Sequence, residues 1–423
     1  MKGSSIISHA LVVVMMLAAP TLARNVETAA GSSWGHSLDK ALNHMPVNVA
    51  ITINNYLIFV DRNSESPLVS GAGIAADYPK GTAGMIFKEG LVWGARVRDG
   101  QEPIIRVNGS TYATGLKAGR VLYDGSGKVT DTPVDTSRHV WRVRPDYATA
   151  DLKADYASSN SVSLTDVTDG DESSIRAQYT YDWANWPGDE GAPYKDVDGN
   201  GAYDPAIDIP GWPGADQTLW LVANDIPYFD SLKAGDLDDF PDSTRVDTIE
   251  VSPLSYGSPA IGIELQLTMW GYAFAADHPL GNAVFKRARV IYTGLPATPD
   301  TAWLDSLYFS QWSDPDLGVY TDDYVGTDVA TSLGYIYNGN VIDAVYFGDI
   351  GSAVPAAGYD FLQGPIDADG DTLGMSSFTF FGAGSAISDP DRGIYSGTLQ
   401  WFNLMEGFLP RPEYPEQEPL LDP

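Results

Sequence analysis

The chain has 423 residues, with 56 acidic against 25 basic side chains, a formal net charge of −31 and no cysteine. That balance argues against a nucleic-acid or anionic-lipid surface, both of which call for a basic face. The missing thiols rule out disulfides and the cysteine-based zinc patterns. Hydrophobic residues make up 43%, and 11 Trp, 23 Tyr and 14 Phe provide ample core, so the composition is not that of a disordered chain.

Residues 1–23 read as a secretory signal. Lys2 supplies the positive start, Ala10 to Ala19 is an apolar run too short to span a bilayer comfortably, and Thr21-Leu22-Ala23 offers a small-residue cut site. The expected destination is therefore secreted, extracellular or cell-surface. Residues 24–45 form a polar N-terminal arm, in which Ser37 can cap a short helix from Leu38 to Leu42.

From Pro46 the texture is β. Val47–Val60 partly alternates and is rich in β-branched residues. Further strands are predicted at Gly84–Val97, Ile104–Tyr112, Ser174–Tyr181, Thr218–Ala223, Ile261–Tyr272, Ala283–Tyr292, Ser306–Trp312, Leu333–Tyr337, Ala344–Gly348 and Ser376–Phe381. The 43 Gly and 28 Pro supply turns between them. Loops are long and irregular, notably 113–173, 184–216 and 225–256, and no fixed-period repeat is present. The expected fold is all-β: a large β-sandwich or jelly-roll-like module over 46–405 with calcium loops. It has room for a break between two packed subdomains near 216–256. Residues 406–423, rich in Pro and Glu, read as an extended tail.

The sharpest chemical motif is Asp196-Val197-Asp198-Gly199-Asn200-Gly201-Ala202-Tyr203-Asp204, followed by Asp208. A large hard cation takes six to eight oxygens at about 2.4 Å. Asp196, Asp198 and Asn200 stand at positions 1, 3 and 5 of such a loop, Gly201 at the sharp turn, the Ala202 carbonyl at 7 and Asp204 at 9. Position 12 is Ile207 instead of Glu, and Asp208 beside it is expected to take that role. Pro193, Pro205 and Pro210 forbid flanking helices, so the loop is EF-hand-like but embedded in β structure. Asp367, Asp369 and Asp371 form a second, weaker candidate lacking the turn glycine. Asp314, Asp316, Asp322, Asp323 and Asp328 form a third cluster that reads equally as metal site or acidic loop. Calcium is the one cofactor these patterns suggest.

Catalytic signatures are sparse. The four His beyond the leader are not at metal-ligand spacing, and no nucleophile elbow or phosphate loop occurs. Asp182 and Glu190, amid Trp183, Trp186 and Trp212, are the best available pair for glycoside hydrolysis or sugar stacking, against a plain reading as a packed aromatic loop. One Asn-x-Ser sequon stands at Asn108. Six triplets of Asp, Ser or Thr, then an aliphatic residue or Thr, place candidate O-glycans on Ser231, Ser243, Thr248, Thr301, Ser306 and Thr372, where composition would give about two.

Several phrases occur in order: Glu89-Gly90-Leu91-Val92-Trp93-Gly94-Ala95, Gly214-Ala215-Asp216-Gln217-Thr218-Leu219-Trp220, Gly262-Ile263-Glu264-Leu265-Gln266, Trp312-Ser313-Asp314-Pro315-Asp316-Leu317-Gly318, Asp322-Asp323-Tyr324-Val325-Gly326-Thr327-Asp328, Gly334-Tyr335-Ile336-Tyr337-Asn338 and Leu362-Gln363-Gly364-Pro365. Over 46–405 the chain resembles the N-terminal region of large exported surface proteins of Bacteroidetes and related phyla, which often carry type IX secretion sorting modules. The resemblance implies an exported, β-rich protein whose Asp-Ser/Thr triplets are O-glycosylation signals, and no particular reaction. The expected function is a structural subunit that pairs with copies of itself through the N-terminal segment into a filament or surface layer. A secreted carbohydrate-binding module is the alternative, with a glycoside hydrolase behind it.

Overall fold

Alternating apolar residues and frequent turn residues become strands joined by long loops. The computed structural model describes residues 6–17, 48–64, 75–112, 114–130, 139–160, 162–230, 249–251, 256–367, 369–382 and 387–411. Its strands are β1 (Ile6–Leu17), β2 (Asn48–Ile51), β3 (Leu57–Asp61), β4 (Ala76–Asp77), β5 (Gly84–Arg98), β6 (Ile105–Gly109), β7 (Lys117–Ala118), β8 (Trp141–Val143), β9 (Tyr194–Lys195), β10 (Ile209–Pro210), β11 (Gln217–Asn224), β12 (Tyr228–Asp230), β13 (Ile249–Val251), β14 (Ile263–Gly271), β15 (Ala283–Tyr292), β16 (Trp303–Pro315), β17 (Asp323–Asp328), β18 (Leu333–Asn338) and β19 (Ala356–Gln363). Three α-helices join them: α1 (Lys153–Asn160), α2 (Asp169–Ala184) and α3 (Tyr395–Met405). No described helix is long and apolar enough to cross a membrane.

Nine strands form one sheet, ordered β17-β18-β19-β1-β15-β14-β11-β7 with β8 also on β11. Six form another, β16-β5-β4-β3-β2 with β6 also on β5. The pairings in both are antiparallel. One core draws on both sheets: Ile51, Ile58, Trp93, Ala95 and Val97 from the smaller, and Leu219, Leu221, Leu265, Leu267, Val284, Ala288 and Ala357 from the larger. The other side of β5 packs on α3, where Val92 and Val107 meet Phe402 and Met405. Gly94 makes that approach possible, since a Cβ there would lie 2.6 Å from Met405 Cε.

The N-terminal apolar run is itself a strand. β1 pairs antiparallel with β15 on one side, Val12 opposite Lys286 and Val14 opposite Val284. On the other side it pairs with β19, Val12 opposite Phe361 and Val14 opposite Tyr359. The segment read as a leader thus lies in the middle of the larger sheet.

Three predicted strands are corrected. Ser174–Tyr181 lies in α2. Thr168 and Asp171 form a capping box, Asp169, Asp171 and Glu172 fill the first turn, and buried Ile175, Tyr179 and Asp182 recur at helical spacing. Those signals outweigh the β-like aromatic and Thr content of the run. Ala344–Gly348 is part of a π-helical stretch, Ala344–Ile350, capped by the Asp343 carboxylate and closed by Gly351 at φ 75°. Ser376–Phe381 has no strand partner. Val47–Val60 divides into β2 and β3 at Asn54, whose side chain accepts the Tyr56 N–H and donates to the Ala283 carbonyl. The strand β19 and the helix α3 were not foreseen. Within the expected break near 216–256, β11 pairs along its length with β14, which follows it. The arm at 24–45 and tail residues 412–423 lie outside the described residues.

A polar network ties the sheets together beside β1. Lys286 of β15 contacts the Glu89 carboxylate of β5, with the two side chains 8% and 2% exposed. Tyr359 of β19 donates to Glu89 Oε2 at 2.9 Å and lies 2.6 Å from Ser313 Oγ of β16. Burial alone draws the Lys286 ammonium down toward about 7, and the Glu89 contact opposes that loss of charge. Replacing Lys286 alone by Met leaves Glu89 buried without its counter-charge, so it should cost about 3–5 kcal/mol. Adding Glu89→Leu should return most of that loss. Urea melts of the two singles and the double would read this, and equal losses in single and double would contradict it.

Candidate metal centre

The EF-hand-like loop sits at the tip of the β9–β10 hairpin. Gly199 and Gly201 take positive φ, 73° and 78°, which lets the loop amides turn inward. The Asp196 carboxylate accepts the N–H groups of Gly199 at 2.7 Å, Asn200 at 3.2 Å and Gly201 at 2.8 Å. These bonds hold its proton affinity below the usual carboxylate range, led by the bond from Gly201. Buried Asp208 accepts from Val197 N and Asp204 N, both at 2.8 Å, and so closes the loop. Asp196, Asp198 and Asp208 each bring a carboxylate oxygen within 4.8 Å of the others. Asp208 thus stands where position 12 was expected to act.

The remaining predicted ligands are not in that triad. Asn200 Oδ1 accepts from Ala202 N at 2.7 Å and its amide donates to Asp198 Oδ2 at 2.8 Å, while Asp204 Oδ1 accepts from Ala206 N at 2.8 Å. Three carboxylates crowded on one point repel each other in the absence of a cation. The donor set is all oxygen, which suits a hard divalent ion such as calcium. Asp196, Asp198 and Asp208 would hold it, and it would staple the loop onto the outer face of the larger sheet.

That face is where the aromatic loop lies. Trp186 is 3% exposed and packs with Trp220, Val222 and Ala192, with Trp183, Tyr194 and Tyr203 partly buried around them. Trp186 Nε1 donates to the Pro193 carbonyl at 2.8 Å, and Tyr203 donates to the Trp183 carbonyl at 2.5 Å. Asp182 is fully buried, 2.9 Å from His139 Nε2 and accepting Arg142 N at 2.9 Å. It is thus enclosed, with its two oxygens engaged by His139 and Arg142. Trp212 stands apart from this cluster, stacked on Trp270 at 4.2 Å with Arg287 5.6 Å above its ring.

Among the described residues the 196–208 triad is the one group of three or more carboxylates converging at ligand distance. Asp367, Asp369 and Asp371 form a tight turn in which Asp367 Oδ1 accepts the amides of the other two. The third cluster spreads its acids over backbone and side-chain donors. Asp323 accepts Leu317 N, Asp322 accepts from Asn338, and Asp314 accepts from Tyr112. Burial, with Asp322, Asp316 and Asp343 nearby, pushes Asp323 up to about 7, and burial with Asp314 pushes Asp316 to about 6. Of the candidate glycan sites, Thr301, Ser306 and Thr372 are exposed, while Ser231, Ser243 and Thr248 lie outside the described residues. Asn108 of the sequon is fully buried.

Several buried acids escaped the sequence reading, Asp155 and Asp225 among them. Asp155 accepts from Arg144 and Tyr179, and Asp225 accepts the amides of Ile261, Gly262 and Ile263. Both organise loops, and no spacing marks such isolated acids. The chain matches no family model, no curated protein and no solved structure.

Calcium bound to the native state alone should raise stability by about 3 kcal/mol at a hundredfold excess over its dissociation constant. Calorimetry with and without chelator checks this. Asp198→Asn should abolish the calcium-dependent gain while leaving the chelated protein's melting temperature nearly unchanged. A melting temperature insensitive to chelation would contradict a structural ion.

Proposed function

We propose that this protein is an exported, calcium-stabilised structural subunit that assembles with copies of itself, its two sheets packed face to face as a large sandwich. The observation that carries the reading is the position of β1, a strand near the chain's N-terminus that lies between β15 and β19. Residues 1–23 act as the export leader, the cation loop stiffens an exterior without disulfides, and the exposed Thr301, Ser306 and Thr372 are open to glycan addition. The arm at 24–45 leads directly into the predicted strand Val47–Val60. That stretch is already used within the chain, since β2 and β3 pair with each other.

A second reading, a carbohydrate-binding module, is favoured by the aromatic row Trp212, Trp270, Phe285 and Tyr272, with successive centroids 4.2, 5.4 and 5.6 Å apart. Sugar rings stack on such faces. Trp212→Ala should weaken glycan retention if this reading holds, and should leave it unchanged if the row is packing alone.

Light scattering and electron microscopy of the exported chain in calcium test the leading reading. The expected result is polymers that grow with concentration. A monomer at high concentration with calcium present would overturn it.

A further inference from the structure

We propose that the gap β1 fills between β15 and β19 is an acceptor for a strand of a second copy of this chain, opened when the leader is removed. The inference rests on the subunit and leader readings above, and it names the joint between subunits.

β1 is paired on both edges. Its register runs, with one irregularity on each side, from Ile6 opposite Ile291 to Met15 opposite Ala283 on β15, and from Leu11 opposite Gln363 to Leu17 opposite Ala356 on β19. A cut after Ala23 takes this strand away. The sheet then falls into β17-β18-β19 on one side and β15-β14-β11 with β7 and β8 on the other. Neighbouring strands lie about 4.8 Å apart, so two strands that flanked a third are left about twice that distance apart. They face each other as two unpaired edges, each a template for an incoming chain.

The gap is also a hole above the core. Buried Val284, Ala288 and Ala357 stand on the two strands that border it, as do Lys286 and Tyr359 of the network with Glu89. Water entering there would reach apolar surface and a buried ion pair together, so an occupied gap is strongly favoured.

The occupant must come from outside the described strands, because each of the others is already taken up in a sheet. After the cut the free end is Arg24, and residues 24–47 precede β2, which is the last strand in the order of the smaller sheet. With 12 of those residues inserted as a strand the length of β1, the remaining 12 reach about 40 Å fully extended, enough to cross to a neighbour packed alongside. Thirty residues, 18–47, now join β1 to β2. A replacement strand as long as β1, 12 residues, would leave only 12 of those 24 for the connection. Closure onto the same molecule therefore has less than half the present tether, which favours the gap of a second copy. The contact is head-to-tail and need not close, so a filament follows.

The test starts from the folded full chain carrying a protease site between Ala23 and Arg24. A Val13→Pro change in the discarded segment removes one amide donor, weakening retention of the cut fragment without altering the processed chain. Light scattering is followed before and after cutting, with and without excess synthetic peptide of residues 6–17. The uncut chain should stay monomeric, the cut chain should polymerise as the fragment leaves, and the peptide should return it to monomer. Polymers indifferent to the peptide would overturn the gap as the joint while leaving the subunit reading intact. A cut chain free of its fragment and still monomeric in calcium would overturn both, whether the gap stays open or refills from its own chain.

Discussion

The larger sheet depends on one strand being present between β15 and β19. Every other contact across that sheet is a pairing of neighbours that stays intact when β1 is removed, but β15 and β19 have no bond to each other. Backbone N–H and C=O groups left without partners near a core are costly, and here two rows of them would open together. The polar network adjoins the same place. Lys286 and Tyr359, one on each bordering strand, meet at Glu89 on the opposite sheet. The ion pair and the Tyr359 hydrogen bond together therefore hold the two halves of the larger sheet to Glu89 of the smaller one.

A similar logic governs the outer face. Without disulfides, the long connection from 184 to 216 must be held by packing and by local bonds. Trp186 anchors it in an apolar pocket, and Asp208 ties the two ends of the cation loop through paired bonds to Val197 and Asp204. A divalent ion on Asp196, Asp198 and Asp208 would add a third tie at the exposed tip, where packing has nothing to offer. Buried acids such as Asp155 and Asp225 do comparable work inside: Asp155 gathers Arg144 and Tyr179 of α2, and Asp225 gathers the consecutive amides of Ile261, Gly262 and Ile263.

Much of the β content was legible. Gly84–Val97 and Ala283–Tyr292 match β5 and β15 closely: β15 partly alternates as a half-covered strand does, and β5, covered on both faces, reads as a nearly continuous apolar run. The geometry of the 196–208 loop was legible down to the convergence of Asp208 with Asp196 and Asp198, since glycine positions and acid spacing are local properties. The misreadings share a cause. At Ser174–Tyr181 a β-like composition masked a helix whose cue, Thr168 with Asp171, lies several residues upstream. At Ala344–Gly348 the deciding group is again a neighbour, the Asp343 cap. The N-terminal run is the most instructive ambiguity. A strand in the middle of a sheet and an export leader can both read as unbroken apolar sequence, so pattern alone carries both meanings.

Hydrogen–deuterium exchange on the chain cut after Ala23, resolved over 283–292 and 356–363, tests the central claim most directly. In the assembled state both edges bordering the gap are filled, so amides of β15 and β19 that face it should be protected. In the dissociated state those amides should exchange, while amides turned toward β14 and β18 stay protected in both. Equal protection of the gap-facing amides in the two states would show that no strand enters there on assembly, and would contradict the account.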